Sequence, residues 1–174
     1  MIIAMDGDVI LRELEEADID EIVKNANNEK VSINLRDAFP HPYSAEDAKR
    51  FLEIVEKQNP KTIFAIEYKG IYAGNISLTP GSDVYRYSAE IGYFIGEPFW
   101  NKGIMTKAIN LMTTFGFNKL GLIRIYAGVF EFNKASQRVL EKCGYEKEAV
   151  LKKAIYKKGT FYDEIRYAKI NPAI

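Results

Sequence analysis

The most informative segment of the chain reads Phe99-Trp100-Asn101-Lys102-Gly103-Ile104-Met105-Thr106. It follows a run typical of a β-strand, residues 89–96, and precedes a run with helical spacing of apolar residues, 106–118. Glycine has no Cβ, so the backbone at Gly103 can approach a ligand closely. The N–H groups and the positive dipole end of the following helix favour an anion. The segment therefore predicts an anion-binding junction, and phosphate is a common ligand of such junctions.

The composition indicates one globular domain spanning residues 1–174, because 47% of the residues are hydrophobic and 28% are charged. The formal net charge is zero, so we expect neither nucleic acid nor membrane lipid as a direct partner. A single cysteine, Cys143, suits a reducing compartment, and neither a signal peptide nor a membrane-spanning stretch is recognisable. We therefore expect a cytoplasmic protein.

Apolar periodicity and turn residues predict a mixed α/β fold. Ser44 with Asp47 three residues later resembles a helix capping box, and Lys69-Gly70 is a hairpin turn signal. Asn133 is a good helix N-cap, and Gly144 stands where a left-handed helix end is expected. In chain order we predict a strand at 9–14, helices at 16–27 and from Ser44 to before Pro60, strands at 62–68, 71–78 and 89–96, a helix at 106–118, a strand at 123–130, a helix at 133–143, and strands at 149–156 and 161–170. This order favours a mixed sheet over a strictly alternating doubly wound one.

Two common phosphate-binding motifs do not fit the junction. A P-loop requires Gly-x-x-x-x-Gly-Lys-Ser/Thr, whereas Lys102 precedes its glycine and no first glycine stands at the required distance. A dinucleotide-binding fingerprint requires Gly-x-Gly-x-x-Gly after an early strand, and Gly92 and Gly96 do not supply it. The predicted anion site therefore belongs to another class of fold.

Four segments together narrow that class. They are Phe39-Pro40-His41-Pro42-Tyr43-Ser44, Ala89-Glu90-Ile91-Gly92-Tyr93, Trp100-Asn101-Lys102-Gly103-Ile104-Met105-Thr106 and Asn133-Lys134-Ala135-Ser136-Gln137-Arg138-Val139-Leu140-Glu141-Lys142-Cys143-Gly144-Tyr145. In order and spacing they resemble the GCN5-related N-acetyltransferase (GNAT) superfamily, specifically its RimJ/RimL-type branch. The resemblance covers nearly the whole chain. It implies the GNAT fold, a mixed and mostly antiparallel central sheet that is splayed at the acetyl-CoA site and flanked by helices.

The resemblance also implies acetyl transfer from acetyl-CoA to an amine. In this family the pyrophosphate binds backbone amides of the loop, the pantetheine arm pairs with the end of the preceding strand, and an asparagine matched by Asn133 contacts the cofactor. The implied cofactor-binding residues are Phe94, Ile95, Gly96, Asn101, Lys102, Gly103, Ile104, Met105, Thr106, Asn133 and Ser136. The loop departs from the broad superfamily consensus at Trp100 and Met105, and both departures are usual in the RimJ/RimL branch.

Acetyl transfer requires a neutral amine, a hydrogen-bond donor to the oxyanion and a proton for the leaving thiolate. Glu90 is the candidate general base, since it aligns with the carboxylate that has this role in some histone-acetylating relatives. The alternative is a solvated strand glutamate paired with a cation. Many relatives protonate the thiolate with a tyrosine, but Leu140 occupies that position here. Ser136 is a candidate to hydrogen-bond the sulfur instead, the alternative being a serine that bonds the first-turn backbone.

The other reactive side chains have structural interpretations. His41 stands between two prolines and is expected to pack or hydrogen-bond in its loop, while Cys143 is expected to be buried packing. Trp100 either lines the cofactor groove or fixes the loop. One histidine and one cysteine cannot supply the usual ligand clusters, so no metal site is expected. A short basic run is expected to be a solvated turn rather than an RNA contact: Lys152, Lys153, Lys157 and Lys158.

Three functions remain open. The leading hypothesis is an N-acetyltransferase whose acceptor is a protein N-terminal α-amine, as in the ribosomal-protein acetyltransferases of the resembled branch. The second keeps the chemistry but changes the acceptor to a small amine, such as a polyamine, an amino acid or an aminoglycoside. The third is a CoA-binding sensor with weak catalysis, which would suit Leu140 in place of the tyrosine. Neither the acceptor nor the choice between monomer and homodimer follows from the sequence.

Overall fold

The computed structural model describes all residues, Met1–Ile174, and contains eight strands and five α-helices. The strands are β1 (Ile2–Asp6), β2 (Val9–Arg12), β3 (Ile63–Tyr68), β4 (Ile71–Pro80), β5 (Ser88–Ile95), β6 (Arg124–Phe130), β7 (Glu146–Lys157) and β8 (Thr160–Ile170). The helices are α1 (Ile19–Ala26), α2 (Glu29–Ser32), α3 (Ala45–Glu56), α4 (Ile104–Lys119) and α5 (Lys134–Lys142). The mixed α/β class predicted from the sequence is confirmed.

The strands form one sheet in the order β1-β2-β3-β4-β5-β6-β8-β7. The pairs β1/β2, β2/β3, β3/β4, β6/β8 and β7/β8 are antiparallel, whereas β5 and β6 are parallel. The parallel register runs from Ser88 opposite Arg124 to Glu90 opposite Tyr126 and ends there, although both strands continue. This is the splayed, mostly antiparallel sheet that the resemblance implies.

Local sequence signals account for several of the observed turns and caps. The Ser44 hydroxyl accepts from the Asp47 N–H, and the Asp47 carboxylate accepts from the Ser44 N–H at 2.8 Å, which completes the capping box of α3. Lys69 (φ 52°) and Gly70 (φ 78°) both adopt left-handed conformations, as a two-residue hairpin turn requires. These predictions are confirmed.

The sequence pattern does not predict β1 or α2, and it places the start of α4 too late. β1 has no alternation of apolar and polar residues, and its order comes from antiparallel pairing with β2. α2 spans only four residues and begins after Asn28, whose side chain accepts from the Lys30 N–H at 2.9 Å. α4 begins at Ile104 rather than Thr106, directly after the junction glycine.

Residue contacts divide the chain into two compact units, one formed by residues 1–77 and 93–111 and the other by residues 78–92 and 112–174. In the first unit, α1, α2 and α3 contribute to a core with β3, β4 and the end of β5. Its buried residues are Ile22, Ala26, Val31, Tyr43, Ala48, Ala65, Tyr72 and Phe94. A single domain over residues 1–174 remains a prediction.

In the second unit α4 lies very close to neighbouring strands at Gly116. A Cβ at Gly116 would lie 2.8 Å from a Leu78 methyl and 2.9 Å from an Ile125 methyl, so a larger residue would force these groups apart. The Thr113 and Tyr145 hydroxyls, both buried, share a hydrogen bond of 2.7 Å. Burial raises the pKa of Tyr145 well above its usual value. This packing fixes residues 112–119 of α4 within the second unit, to which they belong.

Candidate active site

The junction between β5 and α4 is a short, anchored loop in the first unit. After β5 ends at Ile95, one 3-10 turn (Glu97–Phe99) leads into the loop. The indole N–H of Trp100 donates to the Ile95 carbonyl at 2.9 Å, and its ring packs at the edge of the first core. Trp100 therefore fixes the loop, which was one of the two roles expected for it.

The loop backbone alternates in sign of φ. Trp100 has φ −65°, Asn101 +58° and Gly103 +71°, with Lys102 between them on the negative side. Alternation of this kind turns successive N–H groups into one concavity, which is a known anion-binding arrangement. The first turn of α4 adds N–H groups that no intrahelical carbonyl can reach, together with the positive dipole end. The backbone geometry is thus that of an anion cradle.

The outer side of this cradle is open. A Cβ built on Gly103 would meet no heavy atom within 4 Å, and the side chains of Asn101 and Lys102 are exposed. Ile104, by contrast, is 1% exposed, so only its backbone is available to a ligand. Met105 and Thr106 are half-buried on the first turn of α4. An anion can therefore approach from the side of Asn101 and Gly103.

The residues at the end of β5 have part of their backbone already paired. The Gly96 N–H donates to the Ala73 carbonyl at 2.9 Å, and the Ile95 carbonyl accepts from Trp100. Phe94 belongs to the first core, so its side chain is not available to a ligand. A Cβ at Gly96 would overlap the Asn25 side chain, 1.8 Å from its Oδ1, so this position requires glycine. The pairing of the pantetheine arm with these residues stays a prediction, and it would involve only their backbone N–H and C=O groups.

Glu90 and the start of α5 lie in the second unit. Glu90 is half-buried on β5, at the last parallel pair with β6. The Asn133 side chain caps α5, with its Oδ1 accepting from the Ser136 N–H at 3.2 Å. Ser136 is half-buried one turn into the helix, and Leu140 is fully buried. Leu140 thus packs in the core where many relatives have a tyrosine.

The remaining candidates behave as structural residues. Cys143 is 3% exposed, and burial raises the pKa of its thiol to about 11, so it is a poor nucleophile. His41 is exposed in its loop. Lys152 donates to Asp163 at 2.8 Å, which places this part of the basic run in an ion pair. Lys157 is only 6% exposed, so the expectation of a solvated turn is wrong at this residue. No group of three or more His, Cys, Asp and Glu side chains could hold a metal ion, and no helix is both long and apolar enough to cross a membrane.

The structure thus brings the loop residues 101–106 and the end of β5 together in one unit, and Glu90, Asn133 and Ser136 occur in the other. Sequence reasoning missed a polar cluster in the second unit formed by Tyr126, Glu164 and Arg166. Its signal was the alternation of polar residues along β6 and β8, but this alternation does not show which residues of the two strands are paired until the register is known.

Comparisons with known proteins agree with this geometry. Residues 8–146 match the family model described as "Acetyltransferase (GNAT) domain". The chain is 44% identical over 84 residues to YoaA of Bacillus subtilis, described as an uncharacterized N-acetyltransferase, and this alignment covers 48% of each protein. It is 29% identical over 160 residues to the spermidine N(1)-acetyltransferase of Escherichia coli K12, covering 91% of this chain and 83% of that enzyme.

Among solved structures, RimL, a ribosomal L7/L12 alpha-N-protein acetyltransferase in complex with coenzyme A, superposes over 100% of both chains with a TM-score of 0.89. The sequence identity is 21%, so this likeness concerns the fold. The chain spans about half the length of YoaA and of a second Bacillus subtilis relative in those alignments.

Proposed function

The chain belongs to the GNAT acetyltransferase family, and on that premise we propose that it transfers an acetyl group from acetyl-CoA to a primary amine. The observation that carries the proposal is the open backbone cradle at Asn101–Gly103, where left-handed residues alternate with Lys102 directly before α4. Pyrophosphate is the ligand that this cradle fits best, because convergent N–H groups and a helix dipole both favour a compact polyanion.

In this proposal the loop binds the cofactor mainly through its backbone. The N–H groups from Lys102 to Thr106 would bind the pyrophosphate, and the exposed ammonium of Lys102 would add a charge on the solvent side. The end of β5 would align the pantetheine arm, and Asn133 would contact it through its amide nitrogen, since its Oδ1 caps α5. Acetyl-CoA supplies the activated acetyl thioester.

In the proposed chemistry Glu90 accepts a proton and Ser136 donates a hydrogen bond. Glu90 would accept a proton from the acceptor ammonium, directly or through water, so that the amine can attack the thioester carbon. As the new C–N bond forms, the nitrogen loses a second proton, the C–S bond breaks, and CoA leaves as a thiolate that takes up this proton through water and needs a hydrogen bond until then. Ser136 would supply that hydrogen bond, because Leu140 cannot. A backbone N–H near Phe94 or Ile95 would stabilise the oxyanion.

For the acceptor we propose a protein N-terminal α-amine first, in a cytoplasmic setting. The support is the RimJ/RimL-type resemblance of the loop and the structural likeness to RimL, a protein α-amine acetyltransferase by its description. A small amine is the second candidate, favoured by the similarity to the spermidine N(1)-acetyltransferase over most of the chain. Both readings use the same donor site and the same proton transfers.

An acceptor screen tests the proposal. The protein is incubated with acetyl-CoA and a panel of peptides with different first residues, polyamines, amino acids and aminoglycosides, and products are identified by mass spectrometry. We expect acetylation of an α-amine in the peptide arm. Acetylation of the small amines alone would mean that the acceptor is a small amine rather than a protein N-terminus. CoA binding without acetylation of any amine would favour a sensor and refute the proposed enzyme.

A further inference from the structure

One face of the second unit carries a row of polar side chains on β5, β6 and β8. Residues paired directly across neighbouring strands share a face of the sheet. Glu90 lies opposite Tyr126 in the parallel register, and Gly128 lies opposite Arg166 in the antiparallel one. Because β6 alternates, Tyr126 and Gly128 point the same way. Glu90, Tyr126 and Arg166 therefore share one face, with Tyr126 on the strand between the other two.

Arg166 is held on this face by two contacts. Its guanidinium lies 5.3 Å from the centroid of the Tyr126 ring, and its Nη2 donates to Glu164 Oε2 at 2.7 Å. The Glu164 carboxylate lies over Gly128, where a Cβ would be only 2.4 Å from Oε1. The glycine thus leaves room for the carboxylate that positions Arg166.

The hydrogen-bonding capacity of Arg166 is largely unused. Its Nε is buried and has no partner, although leaving a buried donor unpaired costs about 1–3 kcal/mol. About a third of the side chain, 35%, remains exposed, whereas Glu164 is 15% exposed. An arginine retained only for stability would use more of its donors within the protein. Its exposed end therefore presents N–H donors from the face that also carries Glu90.

Arg124 provides an internal comparison. Its guanidinium lies 5.6 Å from the centroid of the same Tyr126 ring, but it donates through both Nη1 and Nη2 to the Glu148 carboxylate. These hydrogen bonds, opposed by partial burial and assisted by the charges of Arg124 and Arg166, hold the pKa of Glu148 below its usual value. Arg124 is thus a paired structural cation. Of the two arginines that flank Tyr126, Arg124 engages both terminal nitrogens with one carboxylate, whereas Arg166 engages only Nη2.

We propose that Arg166 is a specificity-determining residue that binds an oxygen of the acceptor, and that the acceptor is an α-amino carbonyl compound. This inference rests on the proposed acetyl transfer. In such a compound the amine and a carbonyl or carboxylate oxygen are separated by two carbon atoms, so the amine can face Glu90 while the oxygen faces Arg166. A guanidinium binds such oxygens with charge-assisted hydrogen bonds. A polyamine has no oxygen, and its ammonium groups are repelled by Arg166.

Two matched acceptors test this assignment. Phenylalaninamide and phenethylamine differ only by the carboxamide, and each is assayed with the wild-type protein, Arg166→Met and Arg124→Met. We expect Arg166→Met to lower kcat/KM for phenylalaninamide by about 10- to 100-fold, the effect of losing one charge-assisted hydrogen bond, with little change for phenethylamine. Arg124→Met should change the two acceptors equally. Two further acceptors, free phenylalanine and a peptide whose first residue is phenylalanine, then show whether the oxygen belongs to an amino acid or to a peptide.

Other results would overturn the inference. They include an equal loss for both acceptors in Arg166→Met, or a wild-type preference for spermidine over phenylalaninamide. If Arg166→Met does not fold, the double variant Arg166→Met/Glu164→Gln removes the unpaired carboxylate and takes its place. A CoA-induced rise in melting temperature shows that a variant is folded and binds the cofactor. Acetylation of both acceptors without the expected difference between them refutes the role of Arg166 alone. Absence of acetylation of every acceptor refutes the proposed function with it.

Discussion

Replacing Gly103 by glutamate should weaken CoA binding while leaving the protein folded. A Cβ at Gly103 meets no heavy atom within 4 Å, so the substitution causes no clash, and its φ of +71° adds a strain of about 1–2 kcal/mol. The new carboxylate would stand beside the proposed pyrophosphate. Two like charges about 4 Å apart repel by about 1 kcal/mol in water and about 4 kcal/mol near a protein surface. The affinity for CoA should therefore fall by about 5- to 1,000-fold.

Gly121→Glu is the matched control. Gly121 follows α4, has a φ of +65°, and a Cβ there also meets no heavy atom within 4 Å. Backbone strain should lower the stability of both variants by the same amount, which corresponds to a fall of about 2–8 °C in melting temperature for a protein of this size. Only the change at Gly103 places a negative charge at the proposed cradle.

Thermal unfolding with and without CoA reads out both effects. At a CoA concentration about 100 times its Kd, the wild-type protein should gain about 2.7 kcal/mol, or roughly 5–10 °C. Gly121→Glu should keep this shift, and Gly103→Glu should retain at most about two-thirds of it at the same concentration. A wild-type shift in Gly103→Glu would mean that the phosphates bind elsewhere.

Three further predictions concern other parts of the chain. Glu90→Gln should lower turnover by about 100-fold or more without reducing the CoA-induced shift, and unchanged turnover would return Glu90 to a solvated strand residue. Arg12→Ala should lower the free energy of unfolding, measured in urea, by about 3 kcal/mol. The reason is that Asp18, which is only 6% exposed, loses the guanidinium that it contacts at 2.7 and 2.8 Å. The control Lys24→Ala breaks an exposed ion pair and should change this free energy little. Cys143, whose thiol pKa burial raises to about 11, should react with a thiol reagent at pH 8 only after unfolding, and equal rates in native and unfolded protein would contradict its burial.

The raised thiol pKa also gives a direction for stability against pH. A folded-state pKa above the unfolded value of about 8.5 means that the folded protein holds this proton more tightly. The corresponding stability is fully present below pH 8.5 and is lost as the pH rises toward 11. Over this window the unfolding free energy of the wild-type protein should fall more steeply than that of Cys143→Ala.

The sequence predicts well those features that depend on neighbouring residues. The capping box at Ser44, the turn at Lys69-Gly70 and the cap at Asn133 each need only a few adjacent side chains, and all three occur in the structure. The strand–helix junction at Gly103 belongs to the same group, since the change from strand-like to helical spacing is visible in adjacent residues, whereas its role as an anion site stays a prediction.

The features that the sequence does not predict depend on strand register and tertiary pairing. β1 lacks an alternating pattern and owes its order to β2. The cluster around Arg166 unites residues from β6 and β8, so that Gly128 and Glu164 become neighbours only in the paired sheet. The anchoring bond from Trp100 to Ile95 likewise needs the path of the loop.

We propose that this protein moves an acetyl group from acetyl-CoA to an amine. The most direct test incubates the wild-type protein with acetyl-CoA and a peptide bearing a free α-amine, and measures released CoA thiol and acetylated peptide in the same sample. We expect that the two products appear in equal amounts, that the acetyl group is on the α-amine, and that Gly103→Glu reduces both together. Thiol release without acetylated peptide, or no release across peptides and small amines, would contradict it.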